Sequence, residues 1–256
     1  MLGLGLGINK GGFVTNLFRD AALAFSLRDL GLGATYVVRV RRDTDNAEQD
    51  FIASEVTNGT LEFFVGGGNG YVTIWYNQIG GNDAIQNTAS QQPKIVDTGN
   101  LVMKNGKPSL DFDGVDDELT VNANLTQPFT AFSLGSTTTN SSTIFDGNNP
   151  RSFMRFTTLN KIDIYSGSII SNINENNEYK LGYGLYNGTN SEVFYNQNSI
   201  TVGNPGTSGL GELQIGAGTA FSTYTGLIQE IVLFDSNQSQ NKDLIQKNIN
   251  NYYGIY

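Results

Sequence analysis

Tyr71 to Tyr76 is an unbroken run of β-branched and aromatic residues, and it contains the only Trp of the chain, Trp75. Gly66, Gly67, Gly68 and Gly70 crowd its front, and Gly80-Gly81-Asn82-Asp83 follows it. Such side chains pack on a pleated surface, and the glycine clusters supply a turn at each end. A short strand bounded by turns is the unit of an all-β sandwich, and the rest of the chain repeats that unit. Strands are expected near Tyr36–Val40, Tyr71–Tyr76, Lys94–Val96, Ser109–Phe112, Phe129–Leu134, Ser142–Phe145, Ser152–Phe156 and Lys161–Tyr165. Further ones are expected near Tyr179–Leu185, Glu192–Tyr195, Ser199–Val202, Leu213–Ile215 and Gly226–Phe234, with Asn196-Gln-Asn198 as a hairpin turn. No repeat of fixed period is present, which argues against propellers and solenoids.

The ends read differently. Asp20 to Leu30 carries a helical pattern: Asp20 suits the N-cap, Leu23, Leu27 and Leu30 recur at i, i+4 and i+7, and Gly31 suits the stop. Thr60–Val65 fits either a short helix or a strand. A closing helix is expected from Ser239, with Ile245, Ile249 and Tyr252 on one face and Gly254 ending it. At the other end, Met1 to Ile8 alternates glycine with Leu2, Leu4, Leu6 and Ile8. Extended, it places those four side chains on one side and nothing on the other. The strip is too short and too glycine-rich for a signal peptide or a membrane span, and it needs a partner surface. Residues 1–14 are therefore read as a docking segment and 15–256 as one domain.

Composition removes whole classes of function. A net charge of −9 gives no footprint for nucleic acid, whose binding needs clustered cations. Arg39, Arg41 and Arg42 form the one basic cluster, and the acids behind it suggest a salt-bridged strand face. With no His and no Cys, there is no Ser-His-Asp or Cys-His catalysis, no His-ligated zinc and no disulfide. Asp111, Asp113, Asp116, Asp117 and Glu118 offer the hard oxygens that calcium takes. Asp113-Gly114 is equally what a tight turn requires, and the spacing is not that of an EF-hand loop. The turn is the reading adopted, with no metal assigned and calcium as the alternative.

Trp75-Tyr-Asn-Gln-Ile-Gly-Gly-Asn-Asp83 resembles the Trp-Tyr-Asp-Gln-Ser-Gly-Asn-Gly segment of concanavalin A-like domains, nearest to those similar to the arabinofuranosidase B catalytic domain. Ala24–Leu30, Val38–Asp50 and Gly106–Asp117 agree with it. Gly226–Phe234, followed by a helix, resembles the close of a laminin-G-like domain. The resemblance implies a concanavalin A-like antiparallel β-sandwich, a jelly roll, with a short helix near each end. It also bears on chemistry. Retaining glycosidases need two carboxylates across the scissile bond. Where the family has its Glu nucleophile this chain has Arg155, and where it has the acid/base Asp this chain has Gly218. Asn77 stands for the Asp of the Trp-Tyr-Asp-Gln segment. The expectation is an inherited scaffold without the reaction, so no catalytic residue is assigned.

Tyr183, Tyr186 and Tyr224, beside Gly, Asn or Thr, are the candidate glycan-stacking rings, whereas Trp75 is expected in the core. Met1–Ile8 resembles the N-terminal segments of virion proteins from phages of Bacteroidetes-type hosts. The combined expectation is a non-catalytic glycan-binding or structural module of a bacteriophage virion, in a head or tail fibre. It would dock on a capsid or tail protein through Leu2, Leu4, Leu6 and Ile8, bind a host surface glycan and form a homo-oligomer, without membrane insertion. The alternatives are a glycoside hydrolase of arabinofuranosidase type or a bacterial cell-surface carbohydrate-binding module.

Overall fold

A computed structural model describes residues 16–137, 139, 142–157, 161–173, 179–196, 199–218 and 223–256. Leu2, Leu4, Leu6 and Ile8, with the whole docking segment, lie outside the described residues, as do Gln197 and Asn198 of the expected turn.

In chain order the first strands are β1 (Leu23–Ser26), β2 (Val38–Arg42), β3 (Glu48–Phe51), β4 (Gly70–Trp75), β5 (Ala84–Ile85) and β6 (Lys94–Asp97). Three two-residue pieces follow, β7 (Asn100–Leu101), β8 (Met103–Lys104) and β9 (Lys107–Pro108). Then come β10 (Leu110–Asp113), β11 (Leu119–Leu125), β12 (Phe129–Thr137), β13 (Ser142–Asp146), β14 (Phe153–Thr157), β15 (Lys161–Tyr165) and β16 (Ile169–Ile173). The last strands are β17 (Tyr179–Tyr186), β18 (Ser191–Tyr195), β19 (Thr201–Gly203), β20 (Leu210–Ile215) and β21 (Thr225–Phe234). Helices α1 (Ala53–Thr57) and α2 (Thr60–Val65) lie between β3 and β4, and α3 (Lys242–Tyr253) closes the chain.

Every pairing among these strands is antiparallel, and the ladders resolve into two layers. The first runs β3-β2-β4-β6-β10-β21-β12-β17-β18-β19, with β1 in line with β10 along the second half of β21. The second runs β5-β11-β20-β13-β14-β15-β16. Strand β4 joins them: Gly70 and Tyr71 pair with β6, whereas Ile74 and Trp75 pair with β5. A bulge in β4 opposite Arg39 and Val40 turns the strand from one layer into the other. The chain is thus an antiparallel β-sandwich of the concanavalin A-like class.

The core fills the space between the layers, where Phe112, Phe129, Tyr186 and Val193 meet Phe145, Met154, Phe156, Ile162, Leu213 and Ile215. Trp75 is fully buried there beside Phe25, as expected, with ring centroids 5.8 Å apart. The outer face of the central strands is apolar too. Phe132, Leu134, Tyr183, Phe194, Val232 and Phe234 are roofed by Ile245, Ile249 and Tyr253 of α3. Those three recur every four residues, the stripe by which a helix lies on a sheet. Tyr253, rather than Tyr252, completes the buried stripe, and Gly254 ends the helix in a left-handed conformation as expected.

One expectation changes and one open reading is settled. The helix over Asp20–Leu30 is absent: 23–26 is strand β1, paired with β21 from Leu23↔Leu233 to Ser26↔Glu230. Leu23 and Phe25 face the inter-layer core while Ala24 faces the α3 side, so both faces are buried. A segment that must bury alternate residues in two different cores takes period two, whatever its leucine spacing favours locally. The first helices come later, at α1 and α2, which settles Thr60–Val65 as helix.

The Trp-Tyr-Asn-Gln segment proves to be a staple. Asn77 Oδ1 accepts the amide of Ala24 at 2.9 Å, and Asn77 Nδ2 donates to the carbonyl of Gly81 at 2.8 Å. Gln78 Oε1 accepts the amide of Leu30 at 2.9 Å, while its Nε2 donates to Ser26 O and Arg28 O at 2.9 and 2.8 Å. Both side chains are buried. Replacing Gln78 by Ala strands three backbone groups at once, so Gln78→Ala is expected to lower unfolding free energy by about 1–3 kcal/mol. Urea titration followed by circular dichroism measures this; an unchanged midpoint would show that water replaces the amide.

Candidate functional site

The open part of the first layer is its outer face over β2, β4, β6 and β10, which α3 does not reach. The register lines up four side chains there across four strands: Arg41 opposite Tyr71, Tyr71 opposite Lys94, and Lys94 opposite Asp111. Directly opposed residues of neighbouring strands share a face. They form the floor of a cleft of about 450 Å³, walled by Asp43, Ser90, Gln92, Asp113 and Asp117.

Arg41 is held rigidly. Its Nε donates to Gln92 Oε1 at 2.8 Å and one terminal nitrogen to Asn46 Oδ1 at 2.9 Å. The other terminal nitrogen reaches Ala89 O at 3.3 Å, within the 3₁₀ turn Ala89–Gln91. The guanidinium carbon lies 5.1 Å from the centroid of the Tyr71 ring, which leaves that ring half-buried and fixed. Arg39 and Arg42 pair with Asp50 and Asp45, the salt-bridged face the sequence suggested. Among the described residues no carboxylate comes within salt-bridge distance of Arg41, whose charge is met by neutral acceptors and a ring.

The acidic wall is a turn. Asp113 Oδ1 accepts the amides of Val115 and Asp116 at 2.7 and 3.4 Å, and Asp117 Oδ2 accepts the amide of Asp113 at 2.9 Å. Gly114 has φ +79°, and a Cβ there would meet Thr225 Oγ1, so only glycine fits. Carboxylate oxygens of Asp113, Asp116 and Asp117 lie within 4.8 Å of one another. Burial pushes the Asp117 carboxyl up to about 7, with the charges of Asp113, Asp116 and Asp111 adding to the rise and the Asp113 amide opposing it. Burial likewise raises Asp111, with Lys94 pulling the other way. Lys94 itself is raised, chiefly by its 2.9 Å hydrogen bond to Asp97.

The three tyrosines expected to stack on sugar are placed otherwise, and the expectation is corrected. Tyr183, Tyr186 and Tyr224 are all fully buried. Tyr183 lies between Phe132 and Phe194 under α3, with its hydroxyl on Glu192 at 3.2 Å. Tyr186 stacks on Phe129 at 4.2 Å and donates to Phe153 O, and Tyr224 packs edge-on against Phe112. The neighbouring glycines misled. A Cβ at Gly182 would meet Ile162 Cδ1 at 2.7 Å and Phe156 at 2.9 Å, so that glycine admits the opposite layer and marks no loop.

Arg155, which the sequence comparison expected in place of a glycosidase nucleophile, lies on β14 and binds the fully buried Asp163 at 2.5 Å. Asp163 also takes Lys161 at 3.0 Å and Ser171 at 2.6 Å, which leaves it a structural anchor. Gly218, expected in place of an acid/base Asp, is half-exposed in the loop after β20. Only the outward direction of Asp111 was legible, since Leu110 and Phe112 face inward; the row Arg41–Tyr71–Lys94–Asp111, which needs the pairing of β2, β4, β6 and β10, was not.

The sequence matches no family model and no curated protein. Among solved structures, Trypanosoma rangeli sialidase aligns over 90% of this chain and 36% of its own, at 12% identity and TM-score 0.47. The same sialidase in complex with the inhibitor DANA aligns over 68% of this chain at 12% identity and TM-score 0.46, and this chain spans 31% of its length. Domains LG4-5 of the mouse laminin alpha1 chain align over 87% of this chain and 89% of theirs, at 7% identity and TM-score 0.40.

The raised Asp117 makes stability depend on pH. Between the ordinary aspartate value of about 4 and the folded value of about 7, the folded chain keeps a proton that the unfolded chain has released. Stability therefore falls as pH rises through that window. Asp117→Asn keeps the acceptor for the Asp113 amide and removes the titration. It is expected to melt above the parent chain at pH 8 and level with it near pH 4, as measured by differential scanning calorimetry.

Proposed function

We propose that this sandwich is a non-catalytic module that binds a neutral glycan in the cleft over Arg41, Tyr71, Lys94 and Asp111. The observation that carries it is the row itself: one fixed, half-buried ring flanked in register by planar and charged polar groups. A sugar ring presents an apolar C–H face and an equatorial fringe of hydroxyls. The ring of Tyr71 suits the first, while the carboxylates, Gln92 and Lys94 supply acceptors and donors for the second. The cleft carries Asp43, Asp111 and Asp113, with Asp117 partly protonated, against Arg41 and Lys94, so an anionic glycan meets net repulsion.

An enzymatic alternative has one observation in its favour: burial lifts the Asp117 carboxyl to about 7, and it stands close to Asp113, as an acid stands beside a nucleophile. Against it, both carboxylates already hold the 113–117 turn through backbone amides. The proposal also places the module on a bacteriophage particle. The likeness of Met1–Ile8 to virion N-termini supports this, as does the lack of Cys. Peptides of the chain in purified particles would bear it out, and their absence would count against it.

The binding reading is checked on an array of neutral and acidic glycans. Binding is expected for neutral glycans, with at least a tenfold loss in Tyr71→Ala and no release of nitrophenol from aryl arabinofuranosides. A preference for acidic glycans would overturn neutrality. Hydrolysis that Asp117→Asn abolishes would establish the enzyme instead.

A further inference from the structure

A second aromatic platform lies on the same face as the cleft. Tyr36, just before β2, and Tyr76, just after β4, set their rings 6.1 Å apart at 41°. Tyr36 is 41% exposed and Tyr76 half-buried. Both border a separate hollow of about 300 Å³, whose remaining lining is largely the polar loop Asn77–Asp83. The Tyr76 hydroxyl donates to Asp50 Oδ1 at 2.6 Å, and Arg39 grips both oxygens of that carboxylate at 2.7 and 2.9 Å. The Tyr76 ring is thereby locked at its hydroxyl end, while Tyr36 stays open to solvent.

The two platforms are in line. Arg39 and Arg41 are two residues apart on β2 and so project from the same face. Arg39 reaches Tyr76 through Asp50, and Arg41 lies over Tyr71. Tyr71 and Tyr76 are therefore the two ends of one strip along β4; counted on β2, from Arg41 opposite Tyr71 to Val37, whose carbonyl takes the Tyr76 amide, they are four residues or about 13 Å apart at the usual rise of a strand. That span exceeds a single sugar ring and suits a short run of them. Between the ends the strip shows the Arg39–Asp50 pair and exposed Glu48, which offer hydrogen bonds to hydroxyls without a second aromatic step. The pair is internally neutralised, and the acids around Tyr71 disfavour a charged chain.

We infer that the strip from Tyr71 to Tyr36 and Tyr76 is one extended binding tract for an unbranched neutral oligosaccharide, gripped at both ends. The inference rests on the proposed glycan-binding role of the Tyr71 cleft and adds to it a second subsite and a demand on ligand length. Two subsites on one chain act at high effective concentration, so affinity rises steeply once a ligand spans both and is flat below that length.

The test is calorimetric titration with 1,5-linked arabino-, 1,4-linked xylo- and 1,4-linked gluco-oligosaccharides of two to six units. At least one ladder is expected to gain tenfold or more in affinity between the shortest and longest members. Tyr36→Ala, an exposed site whose variant is checked for an unchanged melting temperature, should erase that gain and leave the disaccharide affinity unaltered. Tyr76→Phe, which keeps the ring, should retain most of the gain. Affinity that is flat with length, or a gain that survives Tyr36→Ala, overturns the extended tract while leaving the Tyr71 cleft as a single-ring site. Absence of binding by every ladder, with none on the glycan array, overturns both.

Discussion

Backbone amides and carbonyls outside ladders have to be satisfied, and in this chain buried side-chain amides do much of that. Asn77 and Gln78 hold 24–30 against the end of β4. Gln229 donates to the carbonyls of Lys104, Lys107 and Pro108 and accepts from the Tyr179 hydroxyl. Gln127 bridges Gly206 O and Ser208 O to the amide of Gly188. A sandwich with long connections and no disulfides needs such anchors, because each loop it buries would otherwise leave unpaired polar groups. The same logic explains why residue 77 is Asn and not Asp. A carboxylate would still accept from Ala24, but it has no hydrogen to give to Gly81 O.

These anchors determine what the surface can present. The tie between β1 and the end of β4 fixes the point where β4 leaves the first layer for the second. That departure lets β2, β4, β6 and β10 present a face that α3 does not roof. The acidic turn 113–117 and the Ala89–Gln91 turn then stand as walls on either side of Tyr71. The buried pair of Arg28 and Glu230, 2.8 Å apart and joined by Ser26 and Tyr253, fastens β1, β21 and α3 on the opposite flank.

Much of the sandwich was legible because its strands alternate or run apolar between glycine, asparagine and proline turns. Lys161–Tyr165 was read with its observed bounds, and Phe129–Leu134 was read three residues short of β12. What escaped had a physical cause in each case. Leu119–Leu125 alternates perfectly between buried and exposed, yet Asn122 and Asn124 on its outer face look like turn residues. Ile169–Ile173 is an edge strand with exposed Ile169 and Ile173, whose apolar residues mark no core face. Leu23–Ser26 was hidden by leucines at helical spacing. The cleft escaped because a row across four strands joins residues 41, 71, 94 and 111, and no local pattern encodes that neighbourhood. The tyrosines failed for the converse reason: local glycine context was taken for exposure where the glycines admit a second layer.

The place of β21 in the order of synthesis has its own consequence. It is the axis of the first layer, with β12 on one side and β10 and β1 on the other, yet it leaves the ribosome after the twenty other strands of the described residues. Until then β1, β10 and β12 are hydrogen-bonding edges waiting for their common neighbour, in a nascent chain crowded with others on the same message. The helix that roofs them emerges later still. Closing the sheet therefore waits for the last of its described strands, is built on contacts spanning more than 200 residues such as Leu23 with Leu233, and belongs to the slow end of folding for a domain of this kind.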